Sequence, residues 1–328
     1  MAPLLIALIA LALLFALING MLDSGNIVAT MVSSRAFRPP VALLVTVVAE
    51  FIGPFILGVA VARTIGQDVL APNSVSLLVL VVALVTANAW NLLTWFLAIP
   101  SSSSHALVGG LVGAVVVGAG WQVIMLGGLL KILLALFLSP LLGLTVGFLL
   151  TRLIFFLAQR ATPRINAFFK YSQFVTALLL ALSHGANGAP RAMGLITLGL
   201  VMTGYLSTFV VPLWVIAACA GLMALGTLLG SWKLIRTLGG RFYKIRPVHG
   251  FATQLTSAVI ILGASLVGGP VSSTQVVSAA IMGVGSAERL GKVRWGVGGD
   301  MVMAWMLTIP VTALLAAGLY WAWGYLGR

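Results

Sequence analysis

Long apolar stretches separated by short polar segments run along the whole chain. Several of them reach or exceed the roughly 20 residues that an α-helix needs to cross the hydrocarbon core of a bilayer. The sequence does not show the alternating ten-residue segments that are typical of a membrane β-barrel. The pattern therefore predicts an all-α polytopic membrane protein, with the lipid bilayer as its surroundings.

Composition supports this prediction and excludes other classes. Of the 328 residues, 61% are hydrophobic and 7% are charged, whereas a soluble domain carries about 25% charged residues. The 18 basic residues outnumber the 5 acidic ones, but they lie in short loops between apolar spans, as cytoplasmic loops do. We therefore expect no nucleic-acid partner. The single Cys219 lies in an apolar stretch and indicates neither a disulfide framework nor a metal cluster.

Four basic segments predict the topology if they are placed in the cytoplasm: Arg35/Arg38, Arg152–Lys170, Lys233–Arg246 and Arg289–Arg294. The opening apolar stretch has no basic region before it, so we expect a first span rather than a cleaved signal peptide. The predicted order is 3–32, 40–62, a hairpin at 76–118, 122–150, then 171–204, 206–230, a hairpin at 248–286, and 297–324. The protein would be multi-pass in the plasma membrane of a prokaryotic cell, with both chain ends outside.

The two halves of this order match each other with opposite polarity. Residues 1–150 form a first repeat, 151–170 a basic cytoplasmic linker, and 171–328 a second, inverted repeat. Each repeat has an interrupted long helix, a helix, a hairpin and a final helix. Inverted repeats are the plan of many secondary transporters, whose substrate site lies near the bilayer midplane where the repeats meet.

The interruptions are predicted where polar, glycine-containing runs enter apolar spans, at Asn19–Asn26 and Ser183–Arg191. Such runs are costly in lipid unless they face protein, water or an ion. The alternative is a helix kink whose polar groups are satisfied. Asp23 and Asn26 offer oxygen ligands for Na⁺, and Asp23 could instead carry a proton or pair with Arg191 or His184.

The hairpin bends predict an anion site. Each bend places hydroxyl-bearing residues after a proline and before an apolar helix, where free backbone N–H groups favour an anion. The candidate binding residues are Ser103, Ser104, His105, Ser273, Thr274 and Gln275. Arg191 could contact the substrate, pair with Asp23 or lie at a helix end. His184 and Glu50 are a candidate proton relay or structural groups.

An enzyme is not expected. Ser104 and His105 are adjacent, so on a helix their side chains point about 100° apart, and no nucleophile elbow accompanies them.

The runs Asn19–Asn26, Trp90–Trp95, Pro100–Gly110, Ser183–Gly194 and Pro270–Gly285 together resemble the inorganic phosphate transporter (PiT) family, also called phosphate permeases. The resemblance covers nearly the whole chain. It implies uptake of phosphate with a coupling Na⁺ or proton and no other cofactor. It places Asp23, Asn26 and Asn187 at the cation, and the hairpin hydroxyls at the phosphate.

Three residues depart from the family pattern. Gly188 stands where the family usually has an aspartate, Leu22 where it has a polar residue, and Gln275 where it has a histidine. Loss of a carboxylate should weaken one Na⁺ site, which favours proton coupling through Asp23. It also favours a dianion, so a sulfate or related oxyanion permease is the alternative to a phosphate transporter. A passive anion channel and a non-transporting scaffold also stay open, and a homodimer is one candidate assembly.

Overall fold

The computed structural model describes residues 2–70, 74–97, 99, 101–238, 246–293 and 295–326. For 231–238 and for Ser24, Asn26, Ala29, Lys292, Val297 and Leu326 it describes the backbone alone. The described helices are α1 (Ala2–Ser33), α2 (Pro39–Leu57), α3 (Ala60–Arg63), α4 (Leu77–Phe96), α5 (Ser103–Gly118), α6 (Leu126–Leu157), α7 (Ile165–Met202), α8 (Leu213–Leu238), α9 (Pro247–Leu266), α10 (Ser273–Glu288) and α11 (Trp295–Leu326).

Eight of the described helices are long and apolar enough to cross a membrane: α1, α2, α4, α6, α7, α8, α9 and α11. Helices α5 and α10 have 16 residues each. At about 1.5 Å per residue, a helix of that length is shorter than the hydrocarbon core. Each follows its preceding helix across a bend, so both predicted hairpins are present. The prediction of an all-α polytopic membrane protein is confirmed.

The predicted breaks in the two long helices are wrong. Helix α1 continues through Asn19–Asn26, and α7 continues through Ser183–Arg191 with Pro190 inside it. Ser183 donates to the carbonyl of Leu179 on its own helix. Asn19, Asp23, His184, Asn187 and Arg191 have partners on neighbouring helices or at the second bend, so the backbone can keep its own helical bonds. The alternative was a helix kink with satisfied polar groups, and the structure shows hydrogen-bonded polar groups within helices that are not interrupted.

Three predicted boundaries also move. The helix predicted at 40–62 ends at Leu57 because Gly58 adopts a φ of 84°, a conformation that favours glycine. The helix predicted at 206–230 begins only at Leu213, directly after Pro212. Helix α6 extends to Leu157 and α7 begins at Ile165, so helices occupy most of the predicted linker 151–170.

The main helix contacts of the first half have equivalent contacts in the second half. Helix α1 packs against α8 as α7 packs against α2, and α4 against α1 as α9 against α7. Helix α5 packs against α11 as α10 packs against α6. The molecule thus has a central group of α1, α2, α7 and α8 between two flanking groups. One flank contains α4, α5 and α11, and the other contains α9, α10 and α6.

Glycines allow the closest of these contacts, since a helix without a Cβ can approach a neighbouring backbone. A Cβ added to Gly20 would overlap the carbonyl oxygen of Met223, and one added to Gly185 would overlap that of Glu50. Two further contacts follow the same relation: Gly226 lies on the carbonyl of Leu17, and Gly53 on that of Leu182. These contacts fix the central helices close to the polar runs of α1 and α7.

A buried polar site at the two hairpin bends

Both hairpin bends end in the same helix cap. The hydroxyl of Ser102 accepts a hydrogen bond from the backbone N–H of His105 at 3.4 Å, and that of Ser272 accepts one from Gln275 at 3.4 Å. A serine at this position satisfies one of the free N–H groups at a helix start. The caps leave the hydroxyls of Ser103, Ser104, Ser273 and Thr274 available to other helices.

Asp23 is on α1, and its side chain contacts the first residues of α10. Its Oδ2 atom accepts a hydrogen bond from the hydroxyl of Ser273 at 2.7 Å, and its Oδ1 atom accepts one from Thr274. Asp23 is only 4% exposed. A buried carboxylate needs such partners or a bound cation, so this position marks a functional site inside the bundle.

His184 joins Asp23 to a second buried carboxylate. Its Nε2 atom lies 3.3 Å from Oδ2 of Asp23, and its Nδ1 atom lies 2.8 Å from Oε1 of Glu50. The other oxygen of Glu50 accepts a hydrogen bond from Thr227 at 2.6 Å. An imidazole between two carboxylates can hold a proton on either nitrogen. The structure therefore brings the two residues of the predicted relay into one chain of contacts with Asp23.

Arg191 is the largest fully buried side chain described, at 1% exposure. One guanidinium nitrogen donates to Oδ1 of Asn19 and to the hydroxyl of Ser103, each at 3.3 Å. The other donates to Oδ1 of Asn187 at 3.2 Å and to the carbonyl of Val271 at 2.8 Å. Among the described residues it forms no ion pair, and its Nε atom has no partner. A buried positive charge held by neutral groups attracts an anion.

Asn187 holds the second bend in place. Its amide nitrogen donates to Ser265 at 2.9 Å and to the carbonyl of Gly269 at 3.1 Å, while its Oδ1 atom accepts from the N–H of Val271 at 3.1 Å. In the described contacts Asn187 thus shares partners with Arg191 and not with Asp23. The cation set of Asp23, Asn26 and Asn187 stays a prediction, and the Asn26 side chain lies outside the described part of the chain.

His105 and Gln275 link the two hairpins directly. Nδ1 of His105 lies 2.9 Å from the hydroxyl of Ser102 and 3.3 Å from the amide nitrogen of Gln275. The amide nitrogen of Gln275 can donate to Nδ1 when that ring nitrogen carries no proton. Ser104 adds a second link through the carbonyl of Val271 at 3.4 Å. All the candidate anion residues therefore lie at or between the two bends.

Sequence reasoning missed three contributors to this site. Asn19 was expected only as part of a helix break, and Thr227 lies in an apolar stretch that offers no local signal. The third is the backbone carbonyl of Val271, which accepts from both Arg191 and Ser104. A backbone acceptor has no sequence signature, so no motif could have identified it.

A bundle of membrane-crossing helices that buries a guanidinium and a carboxylate between two hairpin bends is the architecture of a membrane transporter. The chain belongs to the phosphate transporter family, whose sequence profile matches residues 19–316. This confirms the resemblance found in the motifs. The members of this family are transporters, so the prediction that the chain is not an enzyme is also confirmed.

Individual relatives cover almost the whole chain. A protein of Rhizobium meliloti called a probable low-affinity inorganic phosphate transporter is 42% identical over 98% of this chain and 96% of its own length. A Bacillus subtilis protein of the same description is 40% identical, with 96% of each chain covered. A solved structure titled "The sodium-dependent phosphate transporter" is similar with a TM-score of 0.89 at 24% identity, covering 99% of this chain and all of the other.

Proposed function

We propose that this protein is a secondary active transporter that imports inorganic phosphate together with a coupling cation, Na⁺ or H⁺, by alternating access. The observation that carries the proposal is the buried guanidinium of Arg191, which donates to the Ser103 hydroxyl at one hairpin while Asp23 holds the start of the other. The site thus offers a positive group for an oxyanion and a negative group for a cation. The names of the relatives from Rhizobium and Bacillus support phosphate as the anion.

The donors that would hold phosphate come from both hairpins and α7. They are the hydroxyls of Ser103, Ser104, Ser273 and Thr274, the side chains of His105 and Gln275, and the guanidinium of Arg191. A guanidinium and hydroxyls are well suited to an oxyanion because they donate without needing to lose a proton.

Acceptor groups favour phosphate over sulfate. At neutral pH phosphate carries at least one proton and can donate a hydrogen bond, whereas sulfate can only accept. The Asp23 carboxylate, the carbonyl of Val271 and Oδ1 of Asn19 are acceptors at the same bends. A fully deprotonated dianion would face repulsion from the carboxylate, so a protonated oxyanion fits this arrangement better.

The position of Asp23 supplies a mechanism for coupling. Ser273 and Thr274 donate to its carboxylate, so a phosphate ion and Asp23 compete for the same two hydroxyls. A cation bound to the carboxylate, either Na⁺ or a proton, would weaken its hold on these hydroxyls and free them for the anion. In the Na⁺ case Asn26 and Asn187 are the further proposed ligands; in the proton case His184 and Glu50 are the proposed relay.

The exchange of helix partners between the two halves supports a pair of repeats, 1–150 and 171–328, of opposite orientation that meet at the midplane. With the basic loops inside, the proposed location is the plasma membrane, with both chain ends outside. A homodimer stays a prediction.

Uptake by purified protein in proteoliposomes tests the function. We expect saturable uptake of radiolabelled phosphate, accumulation above equilibrium when a Na⁺ or pH gradient is imposed, and competition by arsenate but not by sulfate. Equal competition by sulfate would indicate the oxyanion permease instead. Uptake that only equilibrates under every cation gradient would indicate a passive channel.

The hairpin hydroxyls can be tested by binding alone. Replacing Ser103 or Ser273 with Ala should weaken phosphate binding by about 10-fold or more, since each hydroxyl would donate to a charged oxygen. A thermal-shift titration with phosphate measures this. Thr145→Ala is the matched control, because within the described part of the chain the Thr145 hydroxyl donates only to carbonyls of its own helix. Unchanged binding in both serine variants would favour the scaffold hypothesis.

A further inference from the structure

The glycine contacts give a residue-by-residue correspondence between the two halves. Gly20 touches the backbone of Met223 as Gly185 touches that of Glu50, and the contacts of Gly226 with Leu17 and of Gly53 with Leu182 are in the same register. The caps extend the correspondence to the hairpins, where Ser102 and Ser103 match Ser272 and Ser273. Each residue of one polar run therefore has a defined counterpart in the other.

Under this correspondence, all three ionisable members of the first site are replaced in the second. Asp23 corresponds to Gly188, His184 to Asn19, and Glu50 to Met223. One contact corresponds directly: His184 contacts Glu50, and its counterpart Asn19 has its amide nitrogen 3.9 Å from the sulfur of Met223. The serine contacts differ, because Ser273 donates to Asp23, whereas Ser103 donates at 2.5 Å to Asn19 and Gly188 has no acceptor side chain. The carboxylate–imidazole–carboxylate chain thus has a neutral counterpart at the equivalent place.

The second site instead contains a fixed positive charge. Arg191 occupies the position that corresponds to Asn26, a residue proposed to bind a mobile cation in the first half. Its guanidinium contacts Asn19 and Ser103, the two residues that match His184 and Ser273. The second half lacks the two acids of the first half and has a guanidinium in addition. Both differences make the site in the second half more positive.

We infer that Arg191 is a resident cation that replaces one of two mobile coupling cations, so that each phosphate is carried with the cation of the Asp23 site alone. The inference rests on the proposed transport of phosphate. A mobile cation attracts the anion and then crosses the membrane with it, adding its own gradient to the driving force. A guanidinium also attracts the anion, but it stays in the protein. Arg191 therefore contributes to phosphate binding without contributing to accumulation.

Flux balance measures the number of mobile cations. Proteoliposomes are held at zero membrane potential with K⁺ and valinomycin, and a gradient of the cation that drives uptake, Na⁺ or H⁺, is varied against a fixed phosphate gradient until net phosphate flux stops. If one cation moves with each phosphate, a tenfold phosphate gradient is balanced by about a tenfold cation gradient; two cations need only about threefold. We expect the first result; balance at threefold overturns the inference.

The double variant Gly188→Asp/Arg191→Asn gives the second half the residue types of Asp23 and Asn26. A Cβ added at Gly188 would lie 2.5 Å from the flexible end of Met223 and 2.9 Å from the amide nitrogen of Asn19, so the aspartate fits only if these two side chains shift. We expect the measured cation number to rise by one, whichever cation drives uptake, and to stay unchanged in the control Gly188→Asn/Arg191→Asn. An active double variant with the wild-type number contradicts the inference.

A third variant keeps the inference testable if the double variant does not fold. Arg191→Ala should weaken phosphate binding at least about 10-fold, and millimolar guanidinium, but not tetramethylammonium, should restore it. A loss that guanidinium fails to restore assigns Arg191 a structural role. Absence of phosphate flux in the wild-type protein under every gradient would instead count against the proposed transport itself.

Discussion

Asp23→Asn should abolish the gradient-driven accumulation of phosphate, with a decrease of at least about 100-fold, while phosphate still binds. The amide removes the negative charge that holds the cation, and it competes less strongly for the hydroxyls of Ser273 and Thr274. Phosphate binding should therefore lose its dependence on Na⁺ or pH. Uptake into proteoliposomes and thermal-shift titration with and without the cation measure the two effects separately.

Asp300→Asn is the matched control for this variant. Asp300 lies on α11 and is exposed, so its neutralisation should change neither accumulation nor the cation dependence of binding. Phosphate uptake that is unchanged in Asp23→Asn would contradict the coupling role of Asp23. Binding that stays as dependent on the cation as in the wild type would contradict the proposed competition for the hydroxyls.

Gly185→Ala should strongly destabilise the protein. A Cβ at this position would overlap the carbonyl oxygen of Glu50 and lie 2.8 Å from its carbonyl carbon and Cα, so no side-chain rotation can relieve the clash. Separating α7 from α2 would also pull His184 away from Glu50. We expect a loss of about 1–3 kcal/mol or more in stability, seen as a lower melting temperature and less monodisperse protein in detergent.

Gly318→Ala on α11 provides the comparison, because a Cβ there would have no atom of the described residues within 4 Å. Alanine favours a helix over glycine by about 1 kcal/mol, so this variant should be neutral or slightly stabilised. An equal loss of stability in the two variants would mean that the close approach of α7 and α2 does not contribute to the stability of the protein.

The sequence was sufficient for the membrane class, the order of the helices and both hairpin bends. These features depend on local patterns: apolar length, basic loops, and a proline followed by hydroxyl residues. The continuity of α1 and α7 was not predictable, because it depends on partners contributed by other helices. Asn19 reaches Ser103 on α5, and Asn187 reaches Ser265 on α9.

The same limit applies to the chemistry of the site. His184 and Glu50 were both candidates for a relay, but their contact joins residues far apart in the chain, and no spacing rule relates them. For Arg191 the sequence left three roles open. The position of its guanidinium between Ser103 and the Val271 carbonyl supports the substrate role. This position depends on how the second bend folds, which the sequence does not show.

The exchange of final helices between the halves has a consequence for motion. Helix α6 belongs to the first half but packs on α10 of the second, where Gly283 lies on the carbonyl of Leu144; α11 packs in the same way on α5, where Gly113 lies on that of Ala313. If one half of the chain moved against the other, both of these close backbone contacts would have to separate. Under the proposed alternating access, we therefore expect each flank to stay intact when the site opens to one side of the membrane. The moving bodies would then each contain residues from both halves.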